Sequence, residues 1–102
     1  NNIIYISSFN EYMYYIMRII MNECFLFGII VNKVEFRFAI GGKHDSIIKF
    51  ELQLKNGSVI MIKAYDQLAD YCYQNITENN LVMVYGRLES NFEVHMLKIH
   101  FI

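Results

Sequence analysis

Tryptophan and proline are absent from this chain of 102 residues, which holds only two cysteines and three histidines. The missing tryptophan and proline, beside abundant Ile and Asn, fit the bias of an AT-rich genome and carry no functional signal. Cys24 and Cys72 lie far apart and form no Cys-x-x-Cys pair, which leaves no zinc or redox motif. Both read as small buried hydrophobes in a reducing compartment. His44, His95 and His100 have no ligand spacing with the cysteines or with one another, so no metal or other cofactor is expected.

Charge is equally sparse. Charged residues make up 19% of the chain and hydrophobic ones 55%, a balance that excludes intrinsic disorder. Nine basic and ten acidic residues leave a net charge of −1. A nucleic-acid binder usually carries a basic surface; here one can arise only if the Lys and Arg side chains collect on a single face. Long apolar runs are missing too. In residues 1–20, Asn10, Glu11 and Arg18 interrupt the apolar residues, whereas a membrane span needs about 20 in succession. The same segment lacks the basic start and small-residue cleavage site of a signal peptide. A cytoplasmic protein without membrane contact is the expectation. The chain has no Ser-His-Asp or Cys-His grouping in a motif context, no paired carboxylates on a helix face near a His, and no phosphate-cradling Gly-rich loop before a helix. It is read as a binding protein and not as an enzyme.

What is there is one domain's worth of patterned chain. Ile60, Ile62 and Ala64 alternate with Met61, Lys63 and Tyr65, the period of a half-buried strand. Asp66 follows as a natural helix N-cap. Leu68, Ala69, Cys72, Tyr73 and Ile76 then form one apolar stripe along a helix of about three turns. Thr77-Glu78-Asn79-Asn80 is a turn, and Leu81–Tyr85 resumes as a strand that closes on Gly86-Arg87-Leu88. Upstream, Met21–Val31 reads as a strand with Gly28 at a bend, Val34–Phe38 as the segment after it, and Ser46–Leu54 as the next strand. Asn56-Gly57 is the strongest hairpin signal, a turn that tolerates positive φ at both central residues, and it leads into a strand over Ser58–Ala64. Glu89-Ser90-Asn91 joins Leu88 to a last strand, Phe92–Ile102. Residues 1–20 are an N-terminal extension, either native or translated upstream sequence. The capping-box spacing of Ser8 and Glu11 predicts a helix over about Phe9–Ile19 that packs on the domain or on a partner subunit.

A strand, Tyr65-Asp66-Gln67-Leu68-Ala69-Asp70, a helix, a strand and Gly86-Arg87-Leu88 in succession resemble the second half of the bacterial single-stranded-DNA-binding protein family. Asn22-Glu23-Cys24-Phe25-Leu26-Phe27-Gly28-Ile29-Ile30 is similar to that family's opening strand, and Val34-Glu35-Phe36-Arg37-Phe38 to the segment after it. The resemblance covers residues 21–102. It implies an all-β domain, a five-stranded OB-fold Greek-key barrel with a helix between strands three and four, to which the N-terminal helix is added. It also implies single-stranded DNA as partner, a homo-oligomer (dimer or tetramer), and a role in replication, recombination or repair. The chain departs from the family's pattern in several places. Val34 stands where the family usually has proline. The Lys55–Ser58 hairpin is tight where the family's is long and basic, and the link before the last strand is short. Val59 and Phe92 stand where tryptophans are common, and the chain given ends with no flexible, acid-tipped tail after strand five. The trimmed loops, the missing tryptophans, the net charge of −1 and the apolar leader favour a second reading, an OB domain turned protein–protein module, such as an accessory subunit of a primosome or mobile-element complex.

An OB barrel holds a single strand with basic side chains along a groove and aromatic faces under the bases. The resemblance places Arg37 on phosphate and Phe38 under a base, or else Phe38 over the barrel end. By parity, Lys49 and Lys63 point outward on adjacent strands and form a short basic stripe with Arg87, or else an ordinary solvated face with Glu51. Tyr65 matches a stacking position, and could equally cap the helix–sheet junction. Phe92 is the one residue at the lost tryptophan positions able to stack. Met83 and Tyr85, outward on strand four, are the expected oligomer interface.

Overall fold

The computed structural model of the protein describes residues 22–32, 35–38 and 42–102. The helix expected over Phe9–Ile19, the rest of the extension, and Val34 lie outside them. The elements are β1 (Glu23–Ile30), β2 (Glu35–Phe38), β3 (Ser46–Leu54), β4 (Val59–Tyr65), α1 (Asp66–Asn75), β5 (Leu81–Leu88) and β6 (Val94–Phe101).

The strands run β1-β5-β6-β4-β3-β2, and β1 pairs again with β3, so β1, β5, β6, β4 and β3 close into a five-stranded barrel. All pairings are antiparallel except β4 with β6, which run parallel through Ile62↔Val94 and Lys63↔His95. β1 and β2 both pair with β3, at its far and near ends, so together they act as one long bent strand. The expected five-stranded OB barrel, with its helix between the third and fourth barrel strands, is the fold observed.

Period-two alternation builds the interior. Ser46, Ile48, Phe50 and Leu52 of β3, Ile62 and Ala64 of β4, Val82 and Val84 of β5, and Val94 and Met96 of β6 all point inward and are buried. Each fully buried Ile, Leu or Phe contributes about 1.5–3 kcal/mol. Helix α1 plugs one end through Ala69 and Cys72, with Ile76 just beyond it. Burial pushes the Cys72 thiol up to about 12, so it stays protonated and acts as an apolar filler. Tyr73, expected in the buried stripe, is instead 59% exposed and lies against Phe36 of β2 at 4.3 Å between ring centroids.

Gly28 sits where β1 crosses from β5 to β3, and a Cβ there would collide with the backbone carbonyl of Gln53. The glycine permits a close backbone approach at the seam of the barrel. In the β3–β4 hairpin, Leu54 O accepts from Gly57 N–H at 2.9 Å and Leu54 N–H donates to Ser58 O at 2.8 Å. Gly57 alone takes positive φ (+90°), not both central residues, because the loop is the three-residue type that ends in a left-handed residue.

Asp66 also departs from expectation. The N-cap position is Tyr65, with no side-chain cap bond, and Asp66 is the first helical residue at φ +57°. Its carboxylate turns back to the loop before β3, accepting from Asp45 N–H at 2.7 Å and from His44 Nδ1 at 2.9 Å. Two donors from one loop outcompete the helix's own N–H groups, and the carboxylate still lies at the positive end of the helix dipole. Ser46 Oγ, buried, donates to Asp70 Oδ1 at 2.9 Å and tightens the same junction.

Candidate nucleic-acid interface

Outward parity gives each strand a polar side, and register decides which polar residues meet. One complete row crosses all six strands: Glu23, Arg87, His95, Lys63, Lys49 and Glu35, each the register partner of the next. Register therefore sets Lys49, Lys63 and Arg87 in one belt, with His95 between Lys63 and Arg87. Tyr65 and Arg37 both pair with Ile47, one step along the same outer face.

The belt is not a bare basic stripe. Lys49 and Lys63 face each other directly, and like charges so placed repel. Glu93 lies between them, 3.7 Å from Lys49 Nζ and 3.4 Å from Lys63 Nζ, and Glu89 Oε1 approaches Lys63 Nζ to 2.6 Å. Lys63 is left with a side chain only 12% exposed. The hydrogen bond to Glu89 holds the Lys63 ammonium well above the usual amine range, and the same bond holds Glu89 below the usual carboxylate range. Arg87 is exposed, beside a shallow hollow of about 480 Å³ that it shares with Asn22, Leu88, Glu89, Ser90 and Asn91.

This pairing sets an acid limb on stability. A carboxylate whose folded pKa is depressed contributes stability that is complete above its unfolded value and lost as pH falls through the folded one. The urea midpoint is expected to hold at neutral pH and to fall once pH drops below the unfolded glutamate value of about 4.3. Glu89→Gln should flatten part of that fall; an acid limb identical in the variant would show that the pair contributes nothing.

The aromatic candidates divide. Tyr65 stacks on the His44 imidazole, with centroids 4.1 Å apart and planes at 22°, and meets His95 edge-on at 4.9 Å. Arg37 and Phe38 lie on opposite faces of β2, because consecutive strand residues alternate, and do not form a joint phosphate-and-base pair. Phe38 meets Phe36 edge-on at 5.3 Å, and Phe36 in turn packs on Tyr73 of α1, away from the belt.

Phe92 falls before the last strand, which begins at Val94 and not at Phe92. It is 79% exposed at the tip of the β5–β6 hairpin. There Glu89 O accepts from Phe92 N–H at 2.9 Å and Glu89 N–H donates to Glu93 O at 2.8 Å. This is the bonding pattern of the β3–β4 hairpin, and Phe92, at φ +62°, occupies the place that Gly57 holds there. A bulky residue in left-handed backbone is an outlier.

Met83 and Tyr85 lie on the outer face beside Phe27 and Phe25 of β1, their register partners. Phe25 is 76% exposed, Phe27 50% and Met83 44%. Tyr85 packs on Phe25 at 4.7 Å and donates its hydroxyl to Glu23 at 2.8 Å. Sequence reasoning missed Phe25 and Phe27, as well as Glu89, Glu93, His95 and His44. The inward parity of Val94 and Met96 would have put Glu93 and His95 on the outer face. Nothing local links His44 to Tyr65.

Among the described residues, no group of three His, Cys, Asp or Glu is placed to hold a metal ion, and no helix is long and apolar enough to cross a membrane.

No family model and no curated protein matches the chain. Solved structures do. The SSB domain of a protein from Synechococcus sp. matches with TM-score 0.69 at 19% identity, over 78% of this chain and 94% of that one. A small single-stranded DNA-binding protein from Streptomyces coelicolor matches with TM-score 0.65 at 17% identity, over 78% and 91%. A mitochondrial single-stranded DNA binding protein from S. cerevisiae gives 0.67 at 10% identity, over 78% and 92%. At these identities the likeness is one of fold.

Proposed function

We propose that this chain is a divergent member of the bacterial-type single-stranded-DNA-binding family. It binds single-stranded DNA with little sequence preference, in replication, recombination or repair. The observation that carries this reading is Phe92, an exposed aromatic ring held in strained backbone at the rim of a belt containing Lys63, Lys49 and Arg87. Backbone strain of this kind persists where the surrounding structure enforces it, and it clusters at functional sites. The barrel, shared with proteins described as single-stranded-DNA-binding, supplies the frame.

In this reading Arg87, Lys63, Lys49 and Arg37 take phosphates, while Phe92 and Tyr65 take bases; Phe38, on the other face of β2, stays out of the platform. The chemistry is binding alone, in the cytoplasm. The stripe of Phe25, Phe27, Met83 and Tyr85 is where a second copy docks. That same stripe also favours the second reading, a protein–protein module, since exposed apolar patches mark association.

Fluorescence anisotropy with labelled oligo-dT tests the roles. Tyr65→Ala is expected to weaken binding by about 1–3 kcal/mol, the worth of one stacked base. Arg87→Ala should weaken it and flatten the log K against log salt slope by about 0.7, one phosphate contact on a single strand. Affinities and slopes equal to wild type in both variants would move the site elsewhere.

A further inference from the structure

Both halves of this site are occupied by the chain itself. Glu89 and Glu93, from the hairpin that carries Phe92, place carboxylate oxygens on Lys63 and Lys49 at 2.6–3.7 Å. His44, anchored through its Nδ1 to Asp66, lays its imidazole flat on Tyr65. Lys63 and Tyr65 are two residues apart on one face of β4. A planar nitrogen heterocycle on an aromatic ring, next to anionic oxygens on an ammonium group, is the contact pattern of one nucleotide: base on ring, phosphate on cation.

We infer that Glu89, Glu93 and His44 form an internal nucleotide mimic that closes the site in the free protein, so that single-stranded DNA enters by displacing them. The inference rests on the reading of this face as a DNA site and adds a competitor to it. The two glutamates do relieve the repulsion between Lys49 and Lys63. A competitor role goes further, since displacement must break the ion pairs at Lys63 and Lys49 before a phosphate can replace them. Lysines already paired with carboxylates neutralise fewer phosphates and so release fewer of the cations condensed on the DNA, which leaves wild-type binding weaker and less salt-dependent than its cation count implies.

The test is the Glu89→Gln/Glu93→Gln double variant, with Glu78→Gln, in the turn before β5, as a control for bulk charge. With labelled oligo-dT at low salt, the double variant is expected to bind about tenfold tighter or more, and its salt slope to steepen by up to about 1.4, two further phosphate contacts. Glu78→Gln should shift affinity about twofold or less, since exposed charges beyond a Debye length are screened. Lys63→Ala should cost little in the wild type and about tenfold in the double variant, the coupling that marks direct contact. His44→Ala should also tighten binding, and weaker binding would remove His44 from the mimic.

A readout without DNA separates this inference from the functional reading. Acylation of Lys63 by an amine-reactive ester, followed by mass spectrometry, should be slow in the wild type and several-fold faster in the double variant. Unchanged Lys63 reactivity overturns the mimic whether or not DNA binds. Wild-type binding that the double variant does not improve overturns the mimic and leaves the DNA reading standing. Faster acylation with no binding by either protein sinks the DNA reading, and the mimic's DNA-displacement role falls with it.

Discussion

Replacing Phe92 with glycine is expected to stabilise the barrel and to weaken its hold on DNA. The β3–β4 and β5–β6 hairpins supply the comparison within one chain: their backbone bonding is the same, and glycine fills the left-handed position in one of them. A non-glycine residue there costs about 1–2 kcal/mol, and relief is offset only by the extra freedom glycine has in the unfolded chain, about 0.4–1 kcal/mol. Little burial is lost, because the ring is 79% exposed. A net gain of up to about 1.6 kcal/mol follows, readable as a higher urea midpoint at unchanged m-value. Binding should move the other way by about 1–3 kcal/mol, the loss of one stacked base. Opposite signs in the two measurements would mark Phe92 as a residue kept for contact and not for folding. Glycine that binds oligo-dT as well as phenylalanine would remove Phe92 from the platform.

Phe50→Ala should have the largest effect on the fold itself. Phe50 is 1% exposed, at the middle of β3 opposite Ile62. Truncating it removes a ring from the interior and leaves a cavity, at about 3–5 kcal/mol, a large share of a total stability of about 5–15 kcal/mol. Phe38→Ala is the natural contrast, with the same side chain removed from a position 73% exposed. Its cost should stay near 0.5 kcal/mol, or about that. A small loss at Phe50 would mean that β3 does not carry the core described here.

Much of the barrel was legible in the residues because the signals are local. Alternation at Ile60–Ala64 and Ser46–Leu54, the helical spacing of Ala69 and Cys72, and Asn56-Gly57 each act over a few residues, and the elements form where those patterns lie. Register is not local. Parity alone put Lys49, Lys63 and Arg87 outward, but only closure of the sheet lines them up with His95 in one row. The glutamate pairs were hidden for the same reason, since two flexible side chains cross strands to reach their lysines. Asp66 carried an N-cap signal and went instead to two donors in a loop 21 and 22 residues upstream. Phe92 was legible as a stacking candidate, but its backbone was not: nothing in Asn91-Phe92-Glu93 announces a left-handed residue, which sequence patterns expect to be glycine or asparagine. The parts that make the fold were thus readable, and the parts that shape the site depended on long-range pairing.

The central claim, that this face binds single-stranded DNA, is tested most directly by titrating the wild-type protein into labelled oligo-dT at about 50 mM salt, where phosphate contacts are least screened. The account expects a saturable rise in anisotropy at micromolar protein that fades as salt is raised. No change in anisotropy at those concentrations would contradict it and would leave the barrel to a protein partner.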